Sequence, residues 1–127
     1  MRIVPFESVG EIKFSASRED VIAALGQPDQ EVSNKIGLLE LKYQNIIVRL
    51  DKSGSIEEIT AHAPALNLGK NCILFAELAA YIHQHDHSVF KSVGFLVSPN
   101  FGLAFDPDYP SWVTAIIKHS VNLWRAV

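Results

Sequence analysis

Residues 36–62 read IGLLELKYQNIIVRLDKSGSIEEITAH, and how this stretch pairs decides the fold. IGLLELKY (36–43) and NIIVRL (45–50) are rich in β-formers and break near Gln44-Asn45. Within the second run Ile46, Val48 and Leu50 alternate with Arg49, which faces the other way; this is the two-residue period of a half-buried strand. DKSG (51–54) has turn chemistry and SIEEITAH (55–62) returns as a third strand. The pattern predicts an antiparallel meander with one face buried.

On the N-terminal side, FSASREDVIAALGQP (14–28) predicts a short helix. The Ser17 hydroxyl can cap a first-turn amide, and Glu19 and Asp20 suit the positive end of the helix dipole. Val21, Ile22 and Leu25 form an apolar stripe, Gly26 suits a left-handed C-terminal residue, and Pro28 stops the helix. On the C-terminal side, a loop around Pro64 leads to a second helix over about 72–83, with Phe75, Leu78, Ala79 and Ile82 on one side. VGFLVS (93–98), FGLAF (101–105), the turn DPDYP (106–110) and SWVTAIIKH (111–119) then repeat the strand pattern. Ile36-Gly37-Leu38-Leu39 aligns with Val93-Gly94-Phe95-Leu96, Asp51 with Asp106, and Ile59–His62 with Ile116–His119. Gly10 and Gly69 stand ahead of the two helices. A single domain over 1–127 is expected, with an internal pseudo-repeat of 10–62 and 69–119. Duplication and chance similarity both stay open, because identities are few. The expected class is α+β: two helix-plus-meander units forming one or two packed antiparallel sheets, with the helices on one face.

The segment GEIKFSASREDVIAALGQPD resembles the opening helix of the SmpA/OmlA (BamE-like) superfamily through Gly10, Ile12, Ser17, Glu19-Asp20 and Leu25-Gly26-Gln27-Pro28. Tandem helix-plus-sheet units are also the architecture of β-lactamase-inhibitor proteins. The second half, with FGLAFDPDYPSWVTAIIKH, is similar to small cytoplasmic immunity-type proteins encoded beside bacterial toxins. The resemblance implies a protein that occludes a partner, possessing a shaped surface rather than catalytic groups. Outer-membrane members carry a signal peptide and a lipidated cysteine; MRIVPFESVGEIKF shows neither, so a role in outer-membrane assembly is not implied.

Composition narrows the classes further. The apolar fraction of 48% and charged fraction of 20% suit a globular chain rather than a disordered one. Net charge is −3 and Arg2, Arg18, Arg49 and Arg125 are scattered, so the clustered positive charge of a nucleic-acid binder is missing. Cys72 is the only cysteine, which fits a reducing compartment, and no apolar run approaches the roughly 20 residues that span a bilayer. A cytoplasmic protein without membrane contact is expected, its oligomeric state open.

HQHDH (83–87) places three histidines in five positions. On a helix His83 and His87 share a face, and on an extended segment His83, His85 and His87 do, so a metal site is one reading. A solvated helix end, where imidazoles interact with exposed carbonyls, is the other and is preferred. Asp106 and Asp108 could form a carboxylate pair, but the flanking prolines favour a turn. Cys72, expected near the start of the second helix, reads as a packing residue, and no nucleophile, phosphate-loop or dinucleotide signature occurs. No cofactor and no enzymatic activity are expected; the alternative to an interaction module is a small-molecule or metal-binding domain using the sheet face or His83, His85 and His87. Around Phe101, Phe105, Tyr109, Trp112 and Trp124 the aromatics concentrate, and Trp112 and Val113 must point to opposite sides of a strand. Burial of Trp112 and Trp124 in the core is the preferred reading of this cluster; its functional reading is a partner-binding face at Tyr109 and Trp112, with Asp106, Asp108, Glu57 and Glu58 steering a basic protein such as a toxin.

Overall fold

A computed structural model describes residues 1–126 and is dominated by short strands: about 40% of the chain is strand and 21% helix. The first half runs β1 (Arg2–Val4), β2 (Ser8–Val9), β3 (Ile12–Lys13), α1 (Arg18–Leu25), β4 (Gln30–Ser33), β5 (Leu39–Lys42), β6 (Ile46–Leu50) and β7 (Ile56–His62). The second runs β8 (Ala65–Leu68), β9 (Asn71–Leu74), α2 (Phe75–His85), β10 (Phe90–Ser92), β11 (Phe95–Ser98), β12 (Leu103–Phe105), β13 (Trp112–Ile116) and α3 (Lys118–Arg125). In each half a hairpin precedes a helix, and four strands follow it.

The two meanders form one eight-stranded sheet, ordered β10-β11-β12-β13-β7-β6-β5-β4, in which every pair is antiparallel. Its central seam joins β7 to β13, with Thr60 opposite Thr114. A five-stranded sheet, β3-β2-β1-β8-β9, contains one parallel pair, β1 with β8. The main core combines Val21 of α1, Leu78 and Ile82 of α2, Ile3 and Leu66 of the smaller sheet, and Leu41, Val48, Ile59, Val113 and Phe105 of the larger. Alternation sends the intervening residues to the opposite face, where Val97, Ala104 and Ile116 pack against Val121 of α3, with Phe95 and Trp124 beside them.

These facts correct the expected class. The chain is mostly β rather than α+β, and its helices do not share one face: α1 and α2 cover the main core while α3 lies on the other side. Strands of two to four residues such as β1, β2, β3 and β9 are too short for alternation to reveal. SWVTAIIKH is not one strand either, because helix α3 begins at Lys118. The match of Ile59–His62 to Ile116–His119 also fails in space. Ile59 points into the main core and Ile116 to the opposite face, while Lys118 and His119 are helical. A shift of one residue along a strand reverses every side chain, so this alignment mixes the two faces.

Two glycines are needed where they stand. Gly94 has φ 87° in the two-residue turn between β10 and β11. At Gly102, φ is 61° and a Cβ would lie 2.8 Å from Phe6 Cε1, so no side chain fits without moving that ring. No helix among the described residues is long and apolar enough to cross a membrane.

Candidate functional site

The outward-facing residues of the central strands form a polar strip, built by register. Glu40 lies opposite Arg49, Arg49 opposite Glu58, Ile47 opposite Thr60, Thr60 opposite Thr114, and His62 opposite Trp112. Arg49 Nε donates to Glu40 Oε2 at 2.7 Å, while Nη1 donates to Glu58 Oε1 at 3.2 Å and to Thr60 Oγ1 at 2.6 Å. The Thr60 and Thr114 hydroxyls meet at 2.8 Å across the seam. One guanidinium thus serves two carboxylates, with unequal results. Partial burial pushes Glu40 upward, but the hydrogen bond and charge of Arg49 outweigh it and hold the carboxyl below its usual range. At Glu58 burial dominates over the pull of Arg49, and with Glu57 and Glu40 nearby its carboxyl is raised.

Two grooves open on this face. The first, about 510 Å³, has Arg49, Thr60 and Thr114 on its floor and Ile47, Phe95, Asp106, Tyr109 and Trp112 around them. Val113 is buried in the main core, which turns Trp112 outward, its ring 5.2 Å from that of His62. The second groove, about 470 Å³, lies beside α3; Ile36, Leu38 and Val93 face Ser120, Leu123 and Trp124, with Glu57 and Glu58 between. The grooves adjoin. The Arg49–Glu58 pair spans them, as do the rings of Phe95 and Trp124, 5.3 Å apart.

Of the six residues singled out for partner binding, five line these grooves: Asp106, Tyr109 and Trp112 the first, Glu57 and Glu58 the second. Asp108 lines neither. It sits exposed in the turn, where its amide donates to Asp106 Oδ1 at 2.9 Å, the turn geometry expected of DPDYP. Sequence reading missed Arg49, whose position opposite Glu40 and Glu58 follows only from strand register. It also missed Val93 and Leu123, because exposed aliphatics carry no motif.

HQHDH ends α2. His83 and His85 occupy its last turn, His87 lies beyond it, and all three are exposed. Among the described residues no three His, Cys, Asp or Glu side chains gather closely enough to hold a metal ion. Asp86, between the histidines, is the inward residue, fully buried. It accepts from the amide and hydroxyl of Ser88, from Ser98 Oγ at 2.6 Å and from the Asn100 amide at 3.0 Å. Burial alone would raise its carboxyl, but these donors hold it below the ordinary value. Cys72 is not at a helix start and not a packing residue: it is exposed on β9. No family model, curated protein or solved structure matches the chain.

Proposed function

We propose that the chain is a non-enzymatic protein-interaction module whose partner docks on the outer face of the eight-stranded sheet, as a cytoplasmic immunity or inhibitor protein occludes a toxin. One observation carries this reading: residues far apart in the chain, Glu57-Glu58 and Asp106-Tyr109-Trp112, line adjoining grooves on that face. Trp112 is presented by a strand whose next residue is locked in the core, so a large side chain with few rotors is held ready for burial, as at interface hot spots. The carboxylates of Glu57, Glu58, Asp106 and Asp108 favour a basic partner, and act chiefly on the rate of encounter. Arg49 is tied to Glu40 and Glu58, and Glu40 also to Lys42, so the charged groups of the strip are engaged with one another, which supports binding over chemistry. The resemblance of 10–29 to the SmpA/OmlA superfamily and of the second half to immunity-type proteins supports the same reading.

Co-expression with a basic toxin, should the gene's neighbours encode one, tests it. The intact chain is expected to restore growth, and Trp112→Ala combined with Tyr109→Ala to weaken the complex by about 2 kcal/mol or more while leaving thermal unfolding unchanged. Unaltered rescue and affinity in that variant would reject the reading.

A further inference from the structure

We infer that the groove beside α3 anchors the partner and receives a segment presenting a lysine or arginine flanked by aliphatic side chains. This rests on the interaction reading and specifies its occupant. Ile36 and Val93, 79% and 69% exposed, are the most exposed large hydrophobic side chains among the described residues, and both line this groove together with Leu123, 50% exposed. They belong to the β4–β5 turn, the β10–β11 turn and α3, so the amphipathicity of no single element accounts for their convergence.

Val93 adds an independent sign. Its φ is 45°, at the first position of a two-residue hairpin turn where asparagine or glycine fits and a β-branched residue is strained. In the isolated chain that strain brings no packing in return, since the side chain faces solvent. Strain held at an exposed residue points to a role in binding.

Charge then selects the occupant. Glu58 is engaged by Arg49, whereas Glu57 meets the Ser120 hydroxyl at 3.5 Å and forms no ion pair among the described residues. An aliphatic rim around a carboxylate without a cation complements a charged head on an apolar stem. Lysine and arginine supply both, laying their methylenes along apolar walls while the head reaches an acceptor.

The test is an NMR titration of the intact, isotope-labelled chain with a short amphipathic peptide of leucines and lysines, and with its leucine–glutamate counterpart. Saturable shifts at the amides of Ile36, Glu57, Val93 and Leu123 are expected with the lysine peptide alone. Glu57→Gln is expected to weaken binding about tenfold. Val93→Asn is expected to weaken it comparably while raising the melting temperature, which separates binding from folding. The inference is overturned by equal binding of both peptides, by no saturable binding, by shifts confined to residues 106–112, or by unchanged affinity in both variants. A dimer of the free chain that dissolves on Val93→Asn would also overturn it, by making a second copy the occupant. None of these results bears on growth rescue or on the Trp112 variant, so the wider reading fails or stands separately.

Discussion

Asp86 shows how a single buried carboxylate organises its surroundings. It joins the end of α2 to Ser88, Ser98 and Asn100, tying a helix terminus to the β11–β12 connection. Its folded pKa lies below the ordinary value, so its stabilising contribution is complete above the unfolded pKa of about 3.9 and is lost as pH falls through the lower folded value. Asp86→Asn keeps the shape but opposes an amide to several donors. Urea unfolding at neutral pH is expected to show a loss of about 2–3 kcal/mol. The gap to the unmodified chain should narrow below about pH 4 as the Asp86 carboxyl of that chain is protonated; a gap constant down to about pH 2 would contradict this assignment. In sequence the flanking histidines drew attention instead, because hydrophobicity patterns say nothing about which polar side chain turns inward.

Among the elements, α1 was legible in detail and α3 was not, and capping explains the difference. Ser17 accepts from the Asp20 amide at 3.1 Å while the Ser17 amide donates to Asp20 Oδ2 at 3.0 Å, a closed capping box written in four consecutive residues. Ser17→Ala is expected to cost about 1 kcal/mol in urea unfolding, and a change within experimental error would show that tertiary packing alone holds α1. By contrast the N-cap residues of α2 and α3 are Leu74 and Ile117, which offer no side-chain cap, so the sequence pattern starts α2 three residues early and presents α3 as strand. Three of the four strands of the first meander, β5 to β7, are legible because Ile46, Val48 and Leu50 alternate with outward residues, whereas β4 is exposed along its whole length and carries no such pattern.

At the scale of the molecule, the two halves share one main core. Ile3, Val21, Leu41 and Ile59 from the first pack in the same cluster as Leu78, Ile82, Leu103 and Phe105 from the second. Neither half buries its apolar face alone, so unfolding is expected to be a single cooperative transition, with tryptophan fluorescence and far-ultraviolet circular dichroism coinciding in urea. Separate midpoints would show that the halves are independent units. Trp112 and Trp124 both lie in the second half, which makes fluorescence selective for it and the comparison informative.

Local chemistry by itself determined the α1 helix, the Asp51 and Asp106 turns, strands β5 to β7 of the first meander and the opposite facing of Trp112 and Val113; which of the two turns outward came from the fold. Each of these depends on side chains within a few residues of one another, acting on their own backbone. Tertiary structure alone decided that α3 would cover the second face, that β7 would pair with β13, and that Ile36, Glu57, Val93 and Leu123 would meet at one groove. Those outcomes depend on pairing between segments some fifty residues apart, where register and burial are settled by the whole core and no short stretch of sequence contains the answer.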